Sequence, residues 1–216
     1  MQDPLVVTFS LVLLALTSTA LLAFKDWRIS ILVLAVQYLG VFLVISQVWP
    51  FGLAIVKMIA GWISCSVLAI AGVNLFGMPP VQDINPFSWF KGGRQPDASG
   101  EPSLSLGILF GLFAAGLVLI ISISIAFQSS RLLGEDYLPV LVAGLILIGI
   151  GLLQVAFTSD PFSISIGLLT IIPGFEILYA IFDSSTLVAG LLAGVNLGIA
   201  LVGAYLMAAP LAEALE

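Results

Sequence analysis

Lys57 and Glu176 are the residues of this chain best placed to do chemistry in an apolar setting, because each lies inside a stretch long enough to cross a bilayer. A lone charge in hydrocarbon costs at least ~2.5 to 3.5 kcal/mol, so such residues persist with a partner, in a water-filled cavity or by reaching the interface. A carboxylate that competes between desolvation and a positive neighbour can be placed where it titrates. The chemistry on offer is proton exchange within the membrane. Glu176 also follows Pro173 and Gly174, which predict a break in the helix one turn before the carboxylate. Pro173 removes a backbone donor and frees the carbonyl of Leu169, which must then find protein or water. Each residue has a plainer explanation as well. Lys57 could snorkel to the nearer interface on its four-carbon stem, and Glu176 could stay protonated, bonded to a neighbouring helix.

The elements that must position these residues are membrane spans. With 61% hydrophobic and 8% charged residues among 216, the chain cannot hide its apolar surface in a single water-soluble core. Mean hydropathy is +1.23. A crossing helix needs about 20 apolar residues at 1.5 Å rise each, and seven stretches meet that length: Leu5 to Phe24, Ile29 to Trp49, Phe51 to Phe76, Leu104 to Phe127, Leu138 to Phe157, Phe162 to Phe182, and Leu187 to Met207. The runs are continuous, without the alternation of barrel strands. The expected fold is therefore all-α, a polytopic transmembrane helix bundle. The apolar start lacks a basic n-region and is expected to be a retained first span rather than a cleaved signal.

The chain divides into a three-span front half (1–76), a loop (77–103) and a four-span rear half (104–216). The loop is rich in Pro, Gly and Asp, and its Pro86-Phe-Ser-Trp-Phe90 stretch suits either anchoring at the headgroup level or ligand binding. Lys25 and Arg28, then Lys91 and Arg94, fall on one side of the seven spans, against Arg131 on the other. The positive-inside rule then puts the N-terminus outside and the C-terminus in the cytoplasm. A multi-pass protein of the inner (cytoplasmic) membrane is the expectation.

On this layout Lys57 lies six residues into span three and Glu176 six residues short of the end of span six. Each sits about 9 Å below the same hydrocarbon boundary, so a pair, direct or through water, is allowed. Asn196 in span seven falls at a comparable level. Gly61, Ser64 and Cys65 follow Lys57 at helical spacing and form a small, weakly polar stripe suited to a protein-facing surface. Gln37 and Thr170 could extend a hydrated path or serve as hydrogen-bonding glue between helices. Gly190, Gly194 and Gly198 in span seven, and Gly107 and Gly111 followed by Ala115 in span four, mark faces for close helix packing. Asn196 projects opposite the span-seven glycines, which commits both sides of that helix to protein contacts and favours membership of a larger assembly.

Several function classes are excluded. The net charge of -6 and the lack of clustered Lys and Arg argue against nucleic acid. The chain has no histidine and a single cysteine, Cys65, so internal disulfides, histidine-ligated haem and the usual zinc sites are not expected. No metal and no cofactor are anticipated. No Ser-His-Asp set, phosphate-cradling glycine loop or metal-spaced cluster is present, so independent catalysis is not expected.

Two stretches carry a family resemblance. Lys25-Asp-Trp-Arg-Ile-Ser30 leading to Gln37, followed by a span holding Lys57, resembles the front half of component E of the group 4 membrane hydrogenases. Ile166-Gly-Leu-Leu through Glu176, then Ala193-Gly-Val-Asn-Leu-Gly-Ile-Ala-Leu201, resembles the three-helix K-subunit of complex I and the C-subunit of multi-subunit sodium/proton antiporters. The resemblance implies a unit on the proton path between a redox arm and large antiporter-like subunits, with buried glutamates on its second and third helices. Here the first of these appears as Glu176, displaced along its span, while the second falls near Gly194, with Asn196 the nearest polar side chain. One carboxylate of such a path is missing.

The leading expectation is an accessory membrane subunit of a complex I-related hydrogenase, dehydrogenase or cation/proton antiporter, contributing to proton translocation. Glu176 would exchange the proton and Lys57 would tune it. The partners would be other membrane subunits, antiporter-like ones among them, within the lipid bilayer. Two alternatives stand beside it: a structural membrane subunit that conducts no ion, and a small stand-alone transporter. The latter would need an internal inverted repeat, and none is evident.

Overall fold

A computed structural model describes residues 4–24, 26–76, 106–183 and 185–213. Every regular element among them is helical: α1 (Pro4–Ala23), α2 (Trp27–Ile45), α3 (Phe51–Phe76), α4 (Leu106–Leu133), α5 (Leu138–Ala156), α6 (Pro161–Tyr179) and α7 (Thr186–Glu213), with a short 3-10 turn at Glu135–Tyr137. All seven helices are long and apolar enough to cross a membrane. The chain is a multi-pass helical membrane protein. Lys25, the loop 77–103 with its Pro86–Phe90 aromatics, and Lys91 and Arg94 lie outside the described residues, as do the surroundings of Gly107 in the first turn of α4.

Helix ends follow local chemistry rather than hydropathy alone. Proline disfavours the helical conformation in the residue before it, and Pro50 accordingly separates α2 from α3, so α2 stops at Ile45 with a turn through Trp49. The start of α6 combines Pro161 with an N-cap, in which the Asp160 carboxylate accepts from Ser163 N at 3.0 Å. α4 continues past Phe127 to Leu133 and ends at Gly134, whose φ of 116° a side chain would resist. α6 stops at Tyr179 rather than Phe182, and the chain turns so that the Asp183 carbonyl accepts from Trp49 Nε1 at 3.1 Å.

The helices form two facing layers. α1, α2 and α3 stand side by side, as do α5, α6 and α7, with α1 against α5, α2 against α6 and α3 against α7; α4 packs outside on α5 and α1. The closest approach joins α5 to α6. A Cβ on Gly144 would come within 2.9 Å of the Gly174 carbonyl, and one on Gly151 within 2.9 Å of the Gly167 carbonyl. These glycines repeat every seven residues on two antiparallel helices, so their backbones meet at two levels.

The interior divides into two apolar halves. One, at the end where α3 begins and α6 finishes, is built from Leu14, Val44, Trp49, Ala54, Leu147 and Ile177. The other, toward the opposite end, gathers Leu21, Leu34, Leu68, Phe162, Ile166 and Ala200. Leu5, Phe9, Phe113, Ile120, Leu187 and Leu201 turn outward and are exposed, an arrangement suited to hydrocarbon rather than water.

Candidate functional site

α3 carries Lys57 inward because Ala54, Lys57, Gly61, Ser64, Cys65 and Leu68 recur at helical spacing and are all buried, while Val56, Ile59 and Ile63 on the other face are exposed. The small stripe expected after Lys57 is therefore a protein-facing surface. α6 presents Glu176 from the facing layer. Lys57 Nζ donates to Glu176 Oε1 at 2.5 Å, and the two side chains are 2% and 1% exposed. Snorkelling to the interface does not describe Lys57: its stem leads to the carboxylate.

The levels differ from the simple layout. Lys57 lies about 9 Å from the start of α3, but the early end of α6 leaves Glu176 only about one turn, ~4.5 Å, from that helix's terminus. The length of the lysine stem spans the difference. The pair lies within the membrane-spanning part of both helices.

The other buried polar residues expected on the path fall into two kinds. Gln37 is 2% exposed and its Oε1 has no hydrogen-bond partner; Asn196 is fully buried and neither Oδ1 nor Nδ2 has one. Buried polar atoms of this kind require an ordered water or a polar group from elsewhere. Thr170, by contrast, is satisfied within its own helix, its Oγ1 donating to the Ile166 carbonyl at 2.9 Å. Asn196 shares the buried face of α7 with Ala189, Ala200 and Gly203, and Gly203 approaches Ser165 of α6 and Leu68 of α3.

The expected break at Pro173 and Gly174 is corrected: α6 is continuous from Pro161 to Tyr179 with Pro173 inside it. Pro173 does leave Leu169 without its usual donor, and Tyr38 supplies one, its hydroxyl donating to the Leu169 carbonyl at 3.2 Å. The Tyr38 ring lies directly on Gly61, where a Cβ would collide with it. Gly174 is a packing position against Gly144 rather than a hinge.

No family model, characterised protein or solved structure matches this chain. What the site can do therefore follows from its own residues.

The glycines divide in the same way as the polar groups. Gly111 is buried with Leu22 beside it, whereas a Cβ on Gly190, Gly194 or Gly198 would meet nothing within 4 Å. Within the chain, Gly190, Gly194 and Gly198 of α7 make no close helix contact, whereas Gly203 of the same helix and Gly40, Gly61, Gly72, Gly144, Gly149, Gly151, Gly167 and Gly174 on other helices do. Among the described residues no three His, Cys, Asp or Glu side chains come together in a way that could hold a metal.

Tyr38 is the site residue that carries the weakest sequence signal. The freed Leu169 carbonyl demands a donor, but nothing in the sequence says which helix provides it. Only the facing of α2 and α6 makes Tyr38 that donor. Chemically, the assembled site is a buried acid–base pair that can hold one proton in two ways, as ammonium with carboxylate or as amine with carboxylic acid. Buried apolar clusters lie toward both ends of the bundle.

Proposed function

We propose that this chain is an accessory integral-membrane subunit that contributes to proton translocation in a larger assembly, with Glu176 as the exchanging group and Lys57 as its counter-charge. The observation that carries this is the Lys57–Glu176 hydrogen bond, formed across facing layers by side chains all but removed from solvent. Intramembrane ionisable residues mark ion and proton paths more often than they serve stability, because burying them is costly. Support also comes from Gln37 and Asn196, whose unpartnered polar atoms are suited to hold water along such a path. The resemblance to component E of group 4 hydrogenases, the complex I K-subunit and the antiporter C-subunit agrees with this role and makes antiporter-like subunits the proposed neighbours. On the same reading the protein sits in the cytoplasmic membrane with its N-terminus outside.

The test is Glu176→Gln in the native complex, isolated with whatever co-purifies, with proton uptake measured in reconstituted vesicles. Loss of pumping with assembly intact supports the assignment; undiminished pumping removes Glu176 from the path. A second reading, a structural subunit that conducts nothing, is favoured by the buried apolar clusters toward both ends of the bundle and by Thr170 bonding within its own helix. It predicts that Glu176→Gln and Lys57→Met both leave activity intact.

A further inference from the structure

Tyr38 of α2, itself buried, touches both helices that carry the ion pair. Its ring lies on α3 at Gly61, one turn beyond Lys57, where a Cβ would collide with it. Its hydroxyl reaches α6 and donates to the Leu169 carbonyl at 3.2 Å. Leu169 and Glu176 are seven residues apart, two turns along one face of that helix. α3 packs chiefly on α2 and α7, and α6 on α5, α7 and α2, so the two ion-pair helices lean little on each other. On the α2 side, Tyr38 bridges them.

The bond to Leu169 falls at the one carbonyl of α6 that lacks a backbone donor, because Pro173 stands four residues further on. Helices bend at prolines, since the missing bond no longer fixes the angle between the two halves. Glu176 lies three residues past Pro173, in the segment whose direction that angle sets. Gly174 seats the same segment against Gly144 of α5. Gly174 and Glu176, however, are about 200° apart around the helix, so that contact holds the side away from the carboxylate. On the carboxylate's own side, the Tyr38 hydroxyl takes the place of the lost donor.

We infer that Tyr38 is the positioning residue of the pair: its hydroxyl stands in for the missing N–H at position 173 and sets the angle of α6, while its ring sets the spacing to α3, so that Glu176 meets Lys57. This deepens the function proposed above by naming what holds the pair, and rests on that reading only in treating the pair as the centre of the protein's activity.

The test reads the pair itself. With the full-length protein in lipid bilayers, isotope-labelled at lysine Nζ and glutamate Cδ, solid-state NMR dipolar recoupling should show a close Nζ–Cδ contact that Glu176→Gln abolishes. Tyr38→Phe keeps the ring and removes only the donor. It leaves a buried carbonyl unpaired, a change of roughly fivefold or more in the balance between a fixed and a freed helix angle, so the contact signal should fall by about half or more. Pro173→Ala returns a backbone donor to Leu169, so Tyr38→Phe with Pro173→Ala should recover the parent signal, which a general loss of packing at Tyr38 would not allow. An unchanged signal in Tyr38→Phe overturns the inference, and so does a double variant that lacks the contact, whether or not the single variant folds. If Glu176→Gln leaves pumping undiminished while these signals behave as stated, the transport reading fails and the positioning role stands.

Discussion

Removing one member of the Lys57–Glu176 pair leaves the other charge buried without compensation, a change that costs about 3–5 kcal/mol in protein interiors. Replacing both with apolar side chains of similar volume is often neutral or stabilising. Lys57→Met should therefore lower stability by about that amount in detergent, while Lys57→Met with Glu176→Leu should restore it to within ~1 kcal/mol of the parent. Denaturant or thermal unfolding of the three proteins measures this; a double variant as unstable as the single would show that the charges are not coupled. The pair was legible in the sequence because charges are so rare in these spans that two at similar depth stand out. Tyr38 was not legible, since a tyrosine in an apolar helix reads the same whether it faces lipid or a freed carbonyl. The role of Pro173 was half legible: the unpaired Leu169 carbonyl follows from the ring chemistry, but an uninterrupted α6 follows only once Tyr38 is there to satisfy it.

At the scale of the helix, seven-residue and four-residue glycine spacings lead to different outcomes here. Gly144 with Gly151, and Gly167 with Gly174, face one another across α5 and α6, while Gly190, Gly194 and Gly198 open outward from α7. Gly174→Leu must push against the Gly144 carbonyl and the Leu147 side chain. A destabilisation of about 1–3 kcal/mol or more is expected from such overpacking. Gly194→Leu should change the isolated chain by less than ~0.5 kcal/mol, as for surface positions generally. Unfolding midpoints compare the two directly. If Gly194→Leu nevertheless abolishes co-purification with native partners, the α7 face is where they dock. Hydropathy located all seven spans, because each must match the same membrane thickness. It assigned a face where small and polar residues mark one, as after Lys57 on α3, but not for helices that are almost wholly apolar and lack the polar stripe that betrays orientation in a water-soluble bundle.

Over the whole molecule, if each of the seven helices crosses once, the start of α1 and the end of α7 fall on opposite sides of the membrane. Cys65 is the only cysteine and is buried, so Cys65→Ser gives a background for accessibility labelling. With Asp136→Cys at the end that carries the ion pair and Ser159→Cys at the other, the positive-inside expectation predicts that an impermeant maleimide labels the first and spares the second in intact cells. The reverse pattern would invert the orientation. The layering itself was not legible, because which span faces which depends on close backbone contacts and paired polar groups rather than on composition. One consequence concerns biogenesis. Lys57 and Glu176 are 119 residues apart, so at about 5–20 residues per second the lysine leaves the ribosome roughly 6–24 s before its acid. During that interval the third helix must lodge in the translocon, or beside an insertase, with an ammonium group that has no counter-ion. The nascent chain is thus most exposed to quality-control proteases before its sixth helix arrives, and a truncation anywhere between the two helices would leave that vulnerability permanent.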